Sequence, residues 1–142
     1  MNVLVDTSVW SLALRRRPSD LSPAERRIVF EWRELVREGG AQLIGAIRQE
    51  VLSGIRTQAD FERLRDHLAD FEDLPVDSGD HVEAARFYNI CQARGLGGAH
   101  VDLLICAAAH RHGCPVFTTD EDFRRYAKHL PLRLHSPRIT PG

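Results

Sequence analysis

Short apolar runs alternate along this chain with longer stretches of helical periodicity. Val3-Leu4-Val5 is too short and too uniformly apolar for an exposed helix, and residues 2–6 read as a buried strand. A short helix follows over 8–15 and stops before Pro18. Ser22-Pro23-Ala24-Glu25 marks the next start, with Ser22 as N-cap, Pro23 at the first helical position and Glu25 closing a capping box. That helix runs to about Glu38 and ends at Gly39-Gly40. Residues 42–45 suggest a second strand, followed by a helix carrying Glu50 to Gly54. Thr57 caps a helix over 58–72, where Phe61, Leu64, Leu68 and Phe71 fall on one stripe. A third strand at 74–76 belongs on a sheet edge, because Pro75 lacks a ladder donor. Ser78 opens a helix ending near Gly95, and a very apolar helix covers 100–112 until Gly113 stops it. The remainder predicts a fourth strand at 115–118, a short helix over 121–128, a fifth strand at 132–134 and a loose tail from Ser136.

Strands separated by helices require crossover connections, which are right-handed and give a mainly parallel sheet with helices on both faces. The expected class is a three-layer α/β/α fold with four to five strands, one domain over 1–135 and a tail over 136–142. In such sheets ligands bind beyond the carboxyl ends of the strands. Asp6 and Asp120 stand at two such ends.

Four acids occupy boundaries of apolar segments. Asp6 closes the first strand, Glu50 borders Ile47, Val51 and Ile55, Asp102 is the only charge in 101–109, and Asp120 follows Val116-Phe117-Thr118-Thr119. A carboxylate at the lip of a core costs desolvation energy unless a cation meets it. Each acid also has an ordinary reading. Asp6 and Asp120 or Asp122 would serve as helix caps, and Glu50 would pair with Arg48. Asp102 resists one, since a helix dipole stabilises an anion in the first turn by only about 1 kcal/mol. Gathered in one cleft, these acids would hold hard cations such as Mg²⁺ or Mn²⁺, and hydrolysis of phosphodiesters is the chemistry they favour. Ser8 and Ser53 lack an obvious base, which leaves no competing nucleophile.

Charge and cysteine content narrow the partners. Lys128 is the only lysine, so the cations are arginines, whose planar fork grips phosphate in a bidentate way. Arg15-Arg16-Arg17 is either a solvated helix end or, if the acids lie near it, a phosphate-binding patch. Cys91, Cys106 and Cys114 cannot all pair and fit a reducing compartment; a zinc cluster of Cys106, His110, His112 and Cys114 lacks the usual two ligand pairs from separate elements. No apolar run reaches the roughly 20 residues of a membrane span, and the start lacks a leader pattern, so no membrane association and a cytoplasmic location are expected.

Asp6-Thr7-Ser8, the run from Ile47 to Gly54 around Glu50, Val101-Asp102-Leu103-Leu104-Ile105 and Phe117-Thr118-Thr119-Asp120-Glu121-Asp122-Phe123 together resemble PIN-domain proteins, most of all VapC toxins of bacterial toxin–antitoxin pairs. The motifs span roughly residues 2–134 in order. The resemblance implies a divalent-metal-dependent ribonuclease that cuts RNA, often tRNA or rRNA, to arrest growth. It implies a homodimer held by a small VapB-like antitoxin. Residue by residue, Asp6, Glu50, Asp102 and Asp120 match the family's acidic quartet, with Mg²⁺ or Mn²⁺ expected on them. Asp122 matches a variable fifth acid, Thr118 the hydroxyl beside the fourth, and Thr7 a neighbour of the first. The segment 15–40 is longer than in the shortest members.

Three rivals share parts of this pattern. A haloacid-dehalogenase-like phosphatase needs a second Asp where Ser8 stands. A non-catalytic PIN-like module for RNA or a partner would gain little from a repulsive acidic cleft. A DNA-directed PIN-like nuclease would share the site, but the chain has no added clamp or helical arch.

Overall fold

Val3–Val5 (β1) is wholly buried and pairs in parallel on both sides, with Ala41–Gln42 (β2) through Val3 and Leu4 and with Val116–Phe117 (β3) through Leu4 and Val5. The order β2-β1-β3 therefore puts the N-terminal strand at the centre. The computed structural model describes residues 1–138. The expected third and fifth strands are each a single parallel bridge, Leu43 with Asp73 and Val116 with Leu134. Among the described residues the sheet thus has three strands with a bridge extending either edge, rather than four or five strands. Pro75 and Pro131 help explain the short edges, because neither can donate to a ladder.

Around the sheet run Thr7–Leu14 (α1), a 3-10 turn at Pro18–Asp20, Pro23–Arg37 (α2), Gly45–Leu52 (α3), Gln58–Leu68 (α4), Ser78–Ala93 (α5), His100–His112 (α6) and Asp122–Ala127 (α7). The step from β1 to β2 and the return from β2 to β3 run in opposite directions across the sheet. Right-handed crossovers then put α1 and α2 on one face and the α5–α6 pair on the other, a three-layer α/β/α arrangement. Helix α3 docks on α1, and α4 on α3.

Local chemistry explains most boundaries. Ser22 accepts from the Glu25 N–H at 3.1 Å while Glu25 accepts from the Ser22 N–H at 2.9 Å, the capping box that opens α2. Thr57 accepts from the Asp60 N–H and opens α4, which ends at Leu68 rather than at 72. The cap of α5 is Asp77, in a reciprocal box with Asp80, so Ser78 is already helical. Gly113 ends α6 at φ 69°, a conformation that needs no Cβ. Gly45 belongs to α3 rather than to a strand, because Ile44 already caps that helix.

Trp10 anchors the core beneath α1. Its Nε1 donates to the Val5 carbonyl at 2.9 Å, and its ring meets Trp32 and Phe71 edge-on at 5.6 and 4.9 Å. Among the described residues three acids are buried: Asp6, Glu31 and Asp80. Glu31 on α2 is fully buried, and its Oε2 meets His135 Nε2 at 2.5 Å and Arg138 Nε at 2.7 Å, while Arg138 also pairs with Glu38 at 2.8 Å. These pairs fasten 135–138 to α2, whereas the last part of the tail expected to be loose, 139–142, lies outside the described residues. Among the described residues no helix is long and apolar enough to cross a membrane.

Candidate metal centre

Asp6 leaves the carboxyl end of β1 and Thr118 the carboxyl end of the adjacent β3, so the fold alone sets them side by side. Thr118 Oγ1 donates to Asp6 Oδ2 at 2.7 Å, and Ser8 Oγ donates to the same oxygen at 2.9 Å. Each hydroxyl also accepts a backbone N–H: Thr118 from Asp120 at 3.0 Å, and Ser8 from Thr119 at 3.1 Å. The two hydroxyl protons are therefore both committed to Asp6, and the 3.3 Å approach of Ser8 to Thr118 is a contact between acceptors. Asp6 stands at the N-cap of α1, but its side chain makes no capping bond there. The simple cap reading of Asp6 does not apply.

Glu50 arrives on α3. Thr7 Oγ1 donates to its Oε1 at 3.0 Å, which links the first turn of α1 to the exposed acid. Arg48 does not pair with Glu50; it binds Asp73 at 3.0 Å and the carbonyls of Leu68 and Phe71. Asp120 Oδ1 accepts the Asp122 N–H at 2.9 Å, so Asp120 does turn the chain into α7. Asp122 forms an ion pair with Arg125 one helical turn on.

Asp102 lies in the first turn of α6, half-buried, where Tyr126 OH donates to its Oδ2 at 3.2 Å. Burial pushes its carboxyl up to about 6; the nearby charge of Asp6 adds to this, the Tyr126 hydrogen bond opposes it, and Asp120 and Glu50 raise it further. The other three acids of the quartet thus all act on Asp102. Tyr126 is itself pushed up, by burial and then by the Asp102 charge. Gly98 lets the loop before α6 close over this pair, since a Cβ there would stand 2.7 Å from Leu103 Cδ2 and 3.6 Å from Tyr126 OH.

Among the described residues, carboxylate oxygens of Asp102, Asp120 and Asp122 lie within 4.8 Å of one another. Oxygens on opposite sides of a magnesium ion stand about 4.2 Å apart, so small side-chain rotations bring these three onto one cation. The fit is therefore good for a hard, oxygen-bound ion. Asp122 belongs to this tightest group, while Asp6 and Glu50 reach the site through Ser8, Thr118 and Thr7. From sequence alone Ser8 is weighed only as a nucleophile and Tyr126 has no role. Ser8, two residues past Asp6, offers a local signal; Tyr126 sits 24 positions from Asp102 and offers none.

The class is therefore an α/β protein with a cluster of carboxylates at the carboxyl edge of its parallel sheet. The PIN domain family model matches residues 3–129, and the chain belongs to this family. No curated protein matches the chain in sequence. Among solved structures, FitAcB from Neisseria gonorrhoeae is similar at TM-score 0.74 and 23% identity, over 95% of this chain and 97% of that one. VapBC2 from Rickettsia felis, bound to a DNA fragment from its promoter, is similar at 0.73 and 17%, over 95% and 98%. VapBC-5 from Mycobacterium tuberculosis, of the VapBC family of toxin–antitoxin systems, is similar at 0.65 and 19%, over 94% and 96%. These likenesses are of fold.

Proposed function

We propose that this chain is a divalent-metal-dependent endoribonuclease, the VapC-like toxin of a toxin–antitoxin pair, hydrolysing RNA phosphodiester bonds to stop translation and growth. The observation that carries the reading is the gathering of Asp102, Asp120 and Asp122 within 4.8 Å of one another, with Asp6 tied beside them through Thr118. So many carboxylates lose stability together unless a cation neutralises them. Asp102, Asp120 and Asp122 would hold Mg²⁺ or Mn²⁺, with Asp6 and Glu50 completing the oxygen set. When bound, the ion lowers the pKa of a water and polarises the phosphoryl oxygen.

The chain's own residues hold the ligands in place. Ser8 and Thr118 fix Asp6, Tyr126 orients Asp102, and the Asp120 N–H on Thr118 fixes the loop carrying the fourth acid. Thr7 holds one oxygen of Glu50, which leaves the other to accept a proton from the attacking water. Water attack gives a 5′-phosphate and a 3′-hydroxyl.

The partner reading is supported by solved neighbours that are themselves VapBC and FitAB complexes. A VapB-like antitoxin would cover the cleft. An apolar groove of 310 Å³ between α5 and α6, with Val82 and Ile90 exposed on α5, offers a face for the homodimer. Cytoplasmic RNA is then the substrate.

The test is to offer RNA and DNA of one sequence with Mn²⁺ and to map the product ends. RNA cut to 5′-phosphate ends supports the reading. Ends bearing 2′,3′-cyclic phosphate, or preferential cutting of DNA, would overturn it.

A further inference from the structure

Arg15 lines two cavities at once. One, of 410 Å³, opens at Ser8 and Thr119 on the rim of the carboxylate cleft and follows α1 past Ser11 to Arg15 and Arg16. The other, of 620 Å³, begins at Arg15 and continues past Arg17 to Arg56, Arg63 and His67. Sharing Arg15, they make one track leading away from the acids. From Asp6 to Arg15 that track follows a helix for about 13 Å.

Its charge is opposite to that of the cleft. Among the described residues, Arg17 and Arg56 have no carboxylate partner, and Arg15 reaches only the Ser53 carbonyl at 3.5 Å. Two acids line the track among the described residues: Glu25, 3.8 Å from Arg16, and Asp60, which pairs with Arg63 at 3.0 Å. Asp60 and Arg63 are both more than half exposed, where such a pair is weak and screened. The apolar part of the groove's floor is Leu64, 8% exposed, with the half-buried Leu14 and Ile55. Among the described residues its lining holds no Phe, Tyr or Trp, and His67 is its single aromatic ring, so phosphate contacts rather than a run of stacked bases must dominate there. What the groove presents is a row of guanidinium forks, which suit backbone phosphates.

A chain of net charge −1 with an acidic cleft repels a polyanion unless a local positive field holds it. We infer that Arg15, Arg17, Arg56 and Arg63 grip the phosphates of single-stranded RNA on one side of the scissile bond, so that the strand leaves the cleft along α1. This rests on the ribonuclease reading above.

Fluorescence anisotropy of a labelled oligouridylate in EDTA, across a range of salt, isolates the groove from cleavage. Each phosphate contact contributes about 0.7 to the slope of log affinity against log salt, which is about fivefold in affinity at 0.1 M. The triple variant Arg17→Gln, Arg56→Gln, Arg63→Gln should therefore lose about 2 in slope and about 100-fold in affinity, with an unchanged circular dichroism spectrum. Asp60→Asn should bind more tightly than wild type. Unchanged slope and affinity in the triple variant would overturn the assignment, as would an acidic peptide that occupies the groove without displacing RNA. Cleavage by the wild type in Mn²⁺ separates the two claims. If it cuts RNA and the slope does not move, the groove alone is wrong; if it never cuts RNA, the ribonuclease reading is wrong too.

Discussion

Thr118 Oγ1 and Asp6 Oδ2 stand 2.7 Å apart, joining the ends of two adjacent strands across 112 positions of sequence. The same hydroxyl accepts the Asp120 N–H, so one side chain sets both the first and the fourth acid. Thr118→Val leaves a 5%-exposed carboxylate short of a donor and a backbone N–H short of an acceptor. A loss of about 1–3 kcal/mol in urea unfolding is expected, with a large loss of cleavage. Thr118→Ser keeps both bonds and should retain most of each.

Asp102 gives a prediction of opposite sign. Its carboxyl is raised to about 6 in the folded protein, so its ionised form opposes folding. The folded state binds the extra proton between about pH 4 and 6, and stability falls as pH rises through that window. Asp102→Asn should therefore be more stable than wild type at pH 7 in EDTA. The full shift corresponds to about 3 kcal/mol, and solvent screening of a half-buried group makes the gain smaller. At pH 4 the gain should vanish. Denaturant melts at the two pH values check this, and the variant should be inactive.

Metal binding must displace the same proton. Below about pH 6 the affinity for Mn²⁺, read by isothermal titration calorimetry, should fall about tenfold per pH unit. Tyr126→Phe removes a hydrogen bond that favours the charged form of Asp102, so the midpoint of that fall should move to higher pH. A variant with wild-type affinity at every pH would remove Tyr126 from the site.

Much of the fold was legible because its signals are local. Ser22 and Glu25 are three residues apart and specify a start; Gly113 specifies a stop. The order of the acids, each beside an apolar run, pointed to the candidate site for the same reason. What sequence could not carry were contacts closed by the fold. Tyr126 on Asp102, and His135 and Arg138 on Glu31, depend on how α2, α6, α7 and the last strand segment pack. The edge strands shrank to single bridges because pairing length is a property of both partners.

Glu31 supplies a test of that last contact. Arg138→Ala removes the guanidinium partner from a fully buried carboxylate that also meets His135, and should destabilise by about 1–3 kcal/mol. In a Glu31→Gln background the same change should cost less. A double-mutant cycle in urea measures the difference.

We propose that the carboxylates around Asp102 work through a divalent ion on RNA. Purified protein, free of any antitoxin, is incubated with total bacterial RNA in Mn²⁺, in EDTA, and in Mn²⁺ as the Asp120→Asn variant. Discrete cuts in the first reaction alone are the predicted result. Cuts that persist in EDTA or in the variant, or intact RNA with folded, metal-loaded wild type, would contradict it.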